Sequence, residues 1–174
     1  MTFLATTAVA LAISFVTPAL KFDAPKDWVS KTPSSSSRVA EFALPKVAGD
    51  PEDASLVVYF FGPTMGGSVQ ANIDRWVGQM AQPDGKPSAE VAKTKNLTAN
   101  GLRITIVDVS GTYVAEVSPG STERYNKPGF RQLAAVIETS EGPYFVKLVG
   151  PAATVSRWNE SFMTFLGSVR IGGD

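Results

Sequence analysis

The sequence predicts an α+β fold: a single antiparallel β-sheet with two main amphipathic helices packed on it. Three observations predict it. Apolar stretches of strand length recur between turn residues, Ser110-Gly111 and Ser140-Glu141-Gly142-Pro143 have hairpin character, and two segments repeat apolar residues at helical spacing. Strands joined by tight turns run antiparallel, and a helix striped on one side needs a sheet face to bury that stripe.

Residues 1–20 carry no charged side chain and include the apolar run Ala8 to Val16, the length of a signal-peptide core. Thr17-Pro18-Ala19 supplies small residues before a cut after Ala19, although the cationic start of such a segment is missing. The expectation is a signal segment over 1–20 followed by one domain over 21–174, exported to the periplasm or the exterior. The other readings of the segment are an uncleaved membrane anchor and a buried N-terminal helix.

From Leu20 to Asp23 the chain reads as a short strand, ended by a Pro turn, and Lys31 to Ser37 as a loop. Arg38 to Leu44 alternates Ala40, Phe42 and Leu44 against Glu41, a strand with one face on the core. Pro45 to Asp53 is polar loop. Leu56 to Phe61 is apolar without alternation, as expected of a central strand covered on both faces. Ser68 can cap a helix carrying Val69, Ile73, Trp76, Val77 and Met80 on one side, and Gln82 to Pro87 stops it. Leu102 to Val109 and Thr112 to Val117 read as a hairpin, Ser118 to Gly129 as a polar loop, and Gln132 to Thr139 with Tyr144 to Val149 as a second hairpin. Thr154 can cap a last helix striped by Val155, Trp158, Phe162, Phe165, Leu166 and Val169.

Composition narrows the chemistry. The 174 residues suit one domain, and 16 basic against 16 acidic residues leave no charge excess to attract nucleic acid or an anionic membrane. The chain has no Cys and no His, which removes thiolate nucleophiles, disulfides and imidazole metal ligands. No cofactor and no metal are expected.

Gly62-Pro63-Thr64-Met65-Gly66-Gly67-Ser68-Val69 matches the glycine spacing of a phosphate-binding loop, but Ser68 stands where the Lys is needed and Val69 where the hydroxyl is needed. What survives is an anion site at a helix start formed by Gly66, Gly67 and Ser68, set against a turn capped by Ser68 itself. Asp108 shares a strand face with Leu102, Ile104 and Ile106, where its carboxylate could be desolvated or bond turn amides. Lys147 shares a face with Phe145 and Val149 and reads as an aliphatic stem lying on apolar surface with its amine in water. Pro119 to Arg131 interleaves Arg124, Lys127 and Arg131 with Tyr125 and Phe130, residue types favoured at binding hot spots. It is the expected contact surface, set against a solvated connection whose aromatics tuck back onto the sheet.

The stretches Ser36-Ser37-Arg38-Val39-Ala40-Glu41-Phe42, Val58-Tyr59-Phe60-Phe61-Gly62, Ala71-Asn72-Ile73-Asp74-Arg75-Trp76 and Gly142-Pro143-Tyr144-Phe145-Val146-Lys147-Leu148 resemble a group of uncharacterised bacterial exported proteins. The order of elements is similar to the PsbP-like fold, shared by a photosystem extrinsic subunit, a Ran-binding nuclear-import factor and mycobacterial lipoproteins. The resemblance implies a role in binding or assembling other proteins rather than catalysis. The expected function is therefore an exported, non-enzymatic binding protein whose partner is another protein. The alternatives are a hydrolase-type enzyme using carboxylate, Lys or Ser groups, and an anion-binding protein using the Gly66-Gly67-Ser68 helix start.

Overall fold

The computed structural model describes residues 19–172, so the expected signal segment lies almost wholly outside the described residues. Ten strands and three helices follow in the order β1 (Leu20–Lys21), β2 (Val29–Lys31), β3 (Arg38–Leu44), β4 (Ala54–Phe60), α1 (Val69–Val77), β5 (Met80–Ala81), β6 (Lys93–Ala99), β7 (Leu102–Tyr113), β8 (Lys127–Glu138), β9 (Tyr144–Pro151), α2 (Ala152–Arg157), α3 (Asn159–Ser168) and β10 (Arg170–Ile171). The main sheet runs β2-β3-β4-β9-β8-β7, and the outer edge of β7 is shared by β6 along residues 102–108 and by β5 at Thr112 and Tyr113. Every pairing is antiparallel. The sheet is not the single one expected, because β1 and β10 form a separate two-stranded sheet, Leu20 facing Ile171.

The expected central strand is β4, held between β3 and β9 with Leu56 and Val58 fully buried. The hairpin expected around Ser110-Gly111 is absent. Residues 102–113 form one strand, and its register against β8 shifts between Gly111 and Tyr113. Glycine is required there because a Cβ at Gly111 would sit 2.6 Å from the Ala81 carbonyl oxygen of the neighbouring β5. The breaker dipeptide marks a close backbone approach and a bulge, not a chain reversal.

The reversal lies upstream, at Asn100-Gly101, where φ of +49° and +79° gives the left-handed pair of a two-residue hairpin turn. It joins β7 to β6, a strand that the pattern of the sequence does not announce. Five of its seven residues are exposed, and only Leu97 and Ala99 reach the core, so apolar alternation is nearly absent.

The C-terminal helical stretch also departs from expectation. Pro151 holds the N-cap position and Trp158 divides the stretch into α2 and α3. Thr154 is not a cap but a fully buried residue. Its N–H and hydroxyl both donate to the Asp50 carboxylate, at 2.9 and 2.5 Å, while its hydroxyl accepts the Val47 N–H at 3.1 Å. One free amide of the first turn of α2, that of Thr154, is thus met by a carboxylate from the 45–53 loop instead of by a local side chain.

Alternation sends the two strand faces to different layers. Leu56, Val58, Ile104, Ile106, Leu133, Ala135, Val146 and Leu148 pack with Val155, Phe162, Phe165, Leu166 and Val169 of the C-terminal helical stretch. On the opposite face, Val107, Ala134, Val136 and Phe145 pack under Ile73, Trp76 and Val77 of α1. Helix α1 has nine residues and covers only part of that face.

Candidate functional site

The uncovered remainder of the second face is the floor of an open basin of about 800 Å³. Alternate residues of adjacent strands supply the floor: Val57 and Tyr59 of β4, Lys147 and Val149 of β9, Phe130 of β8 and Tyr113 of β7. One wall is the end of α1 and the residues after it, with Arg75, Gly78 and Gln79, and the other is the 114–126 segment. That segment folds on itself through Val117 N–H to the Glu123 carbonyl and Tyr125 N–H to the Ala115 carbonyl, and Val114 N–H ties it to the Gln79 carbonyl at 2.8 Å.

Lys147 is a half-buried residue of the floor, and its amine is held by protein groups instead of lying free in water as expected. Nζ donates to Gln79 Oε1 at 2.6 Å and to the Tyr113 hydroxyl at 3.0 Å, and lies 5.0 Å from the centre of the Tyr113 ring. Burial first, and the Arg75 cation second, push the amine down to about 7. Tyr113 is pushed up to about 12 by burial, with Tyr125 and Tyr59 adding to it, so its hydroxyl keeps its proton at neutral pH. Burial likewise raises the Tyr59 hydroxyl. Tyr113 stacks on Tyr125 at 5.5 Å and on Phe130 at 6.3 Å, an aromatic stack along one side of the basin.

The charges around the basin divide into paired and unpaired groups, and one carboxylate of the lining, Asp53, makes no ion pair among the described residues and accepts the Lys46 N–H at 3.0 Å. Lys127 is held by Glu52 at 2.6 Å, Arg124 by Glu116 at 3.6 Å and Arg38 by Glu41 at 3.2 Å. Arg75 and Lys147 have no carboxylate partner among the described residues. Arg75, an exposed residue of the wall, donates one N–H to Asn72 Oδ1 at 2.6 Å.

The expected contact stretch does not stay together. Arg124 and Tyr125 belong to the 114–126 wall, Lys127 opens β8 at the rim, and Phe130 is a buried floor residue. Arg131 is on the opposite face. Its Nε and one terminal nitrogen grip Asp108 at 2.9 and 2.7 Å, and it also donates to Ser156 Oγ and Asn159 Oδ1. The Asp108 hydrogen bond raises the Arg131 pKa, and Asp108 is thereby half of an ion pair under the helices rather than a ligand of turn amides. A strand carries Phe130 and Arg131 to opposite faces, so polar interleaving in sequence does not become a shared surface.

At the other candidate, Ser68 Oγ accepts the Ala71 N–H at 3.1 Å, as expected of a cap. Asn72 closes the turn, its amide donating to the Gly66 carbonyl at 2.6 Å and the Ser68 carbonyl at 2.9 Å. Gly66 has φ +103°, and a Cβ there would meet the Phe145 ring at 2.6 Å. The glycine spacing thus answers to packing over Phe145.

No protein-family model matches the chain, and no curated protein matches it. Solved structures do. LpqN of Mycobacterium tuberculosis, involved in cell envelope biogenesis, matches with a TM-score of 0.51 at 11% identity over 93% of this chain and 88% of that one. The cyanobacterial PsbP of Synechocystis gives 0.47 at 10% identity over 95% and 98%, and a Pseudomonas aeruginosa protein of unknown function 0.46 at 14% over 87% and 89%. The fold is PsbP-like, as the sequence resemblance implies.

Proposed function

We propose that the chain is an exported, non-enzymatic binding protein whose basin receives a carboxylate-bearing ligand with an apolar or aromatic body. The observation that carries this reading is the pair of cations, Arg75 and Lys147, left without carboxylates inside a concavity floored by Tyr59, Tyr113 and Phe130. Burying the Lys147 amine without a counter-charge costs stability, and Arg75 stands exposed on the wall beside the basin, so the site is arranged for an anion that arrives with the ligand. A basin near 800 Å³ is within the size range of small-ligand sites, and its aromatic floor is ringed by polar and charged side chains. Export is supported by the charge-free apolar segment before Lys21 and by the cell-envelope role of LpqN, whose fold this chain shares. A protein partner would deliver or accept the ligand at the rim, where Arg124, Tyr125 and Lys127 stand.

Ligand-observed NMR with phenylacetate and its uncharged amide tests the reading. Phenylacetate binds, the amide does not, and Arg75→Gln weakens phenylacetate by about tenfold, the cost of one exposed charge-assisted contact. Equal binding of acid and amide would refute the anion site. N-terminal sequencing of secreted material should begin near Leu20, and recovery of intact Met1 from a soluble cytoplasmic fraction would refute export.

A further inference from the structure

We propose that Lys147 is a carbonyl-reactive amine, and that the basin captures small 2-oxo acids as an imine on its Nζ while Arg75 holds their carboxylate. The inference rests on the carboxylate site proposed above and adds covalent chemistry to it.

The geometry supplies each requirement. Nζ has no carboxylate to keep it protonated, and both of its protein partners are neutral, Gln79 at 2.6 Å and Tyr113 at 3.0 Å. The amine lines an open basin, so a ligand can reach it. An amine packed over the Tyr113 ring and sharing a basin with another cation is in the setting that lowers lysine basicity in imine-forming sites. Burial and Arg75 bring its pKa to about 7, which leaves a large share as free base at neutral pH. A surface lysine at its ordinary value is only about one part in 2,500 free base there.

The atoms balance without an added oxidant or reductant. The Nζ lone pair attacks the carbonyl carbon, forming C–N as the C=O π bond breaks. One amine proton passes to the oxygen, giving a carbinolamine, whose hydroxyl takes the second amine proton and leaves as water as the nitrogen lone pair forms the C=N bond. Tyr113, neutral and within hydrogen-bond reach of Nζ, is placed to relay these protons. Addition of water reverses the sequence, so the result is capture and release rather than turnover.

The experiment traps the imine by reduction in the wild-type chain at pH 7, with glyoxylate in one arm and acetaldehyde in the other, followed by peptide mapping. Glyoxylate should label Lys147 at least about tenfold faster than any other lysine, given its larger free-base fraction. Acetaldehyde, lacking the carboxylate, should label it more slowly, and Arg75→Gln should slow glyoxylate alone. Lys147→Arg should lose the preferred adduct. Label spread evenly over the lysines overturns imine formation, even if phenylacetate still binds. Labelling of Lys147 by acetaldehyde as fast as by glyoxylate overturns the 2-oxo acid assignment. A wild-type map needs no variant to fold, so neither outcome depends on a mutant's stability.

Discussion

The two faces of the main sheet are built from the same strands and come to opposite ends. Under α2 and α3 the face is closed: Phe162, Phe165, Leu166, Val155 and Val169 have no exposure, and the Asp108–Arg131 pair is admitted only as a satisfied unit at its margin. Under α1 the face is half closed. Where the nine-residue helix ends, aromatic rings and the uncompensated Lys147 take over. Under the proposed function, stability and recognition are kept on separate sides of one sheet. One helical layer is long enough to cover its face, and the other is short, leaving polar groups that a well-packed core would not keep.

The largest test of that contrast is Phe165→Ala, which opens a cavity in the closed face. It should cost about 3–5 kcal/mol in urea unfolding. A cost under about 1 kcal/mol would mean the closed face is not the principal core.

Lys147→Met should act in the other direction. The folded amine titrates at about 7 while the unfolded one keeps its ordinary value. The unfolded chain therefore binds the extra proton between pH 7 and about 10.5, and burying this lysine costs most below pH 7 and nothing above about 10.5. Arg75 from α1, the tyrosines at 59, 113 and 125, and the rim charges Arg38, Glu52, Asp53, Glu116, Arg124 and Lys127 line the basin with it, and Arg75 is the one that lowers its value further. The Met variant should be more stable than wild type by about 2–4 kcal/mol at pH 7, with the gain shrinking as pH approaches 10. A gain independent of pH would show that the amine is already solvated. Tyr113 titrates above both values and contributes equally to the two chains, so it cancels in the difference.

A smaller effect is expected from Asp108→Ala. It leaves Arg131, whose side chain is 19% exposed, with only neutral partners under the helices, at a cost of about 1–3 kcal/mol. The smallest belongs to Arg124→Ala on the basin wall. Its ion pair with Glu116 is 3.6 Å long and well exposed, so thermal stability should change by less than about 1 kcal/mol. A large loss there would mean that the wall is part of the fold's framework rather than of its recognition surface.

The strands whose residues alternate or are uniformly apolar were legible: Arg38 to Leu44, the β4 core and the β8–β9 hairpin all lie where the pattern puts them. The failures have a common cause, which is that glycine carries two meanings. Ser110-Gly111 reads as a turn but is a close approach to Ala81, whereas Asn100-Gly101, the stronger hairpin dipeptide, closes a hairpin whose first strand is polar and gives no alternation. The start of α1 and its Ser68 cap were readable from local spacing, but its end was not, since Met80 of the expected stripe belongs to β5 and the helix stops at Val77; nor was Asp50 capping α2, because that contact spans 104 residues. The basin was visible only as scattered residues. Lys147 sat on the right face, but nothing local says that α1 stops short of it or that Gln79 and Tyr113 converge on its amine.

The pairing of β1 with β10 sets the described ends of the chain side by side, with the Gly172 N–H donating to the Ala19 carbonyl at 3.0 Å. Topologically the domain is therefore close to a ring. Joining those ends with a short flexible linker and reopening the backbone at Asp84-Gly85, in the exposed turn after β5, would keep every strand beside its present neighbours. Such a circular permutant would place both new termini beyond the edge of the sheet, leaving α2 and α3 to close over their face as before.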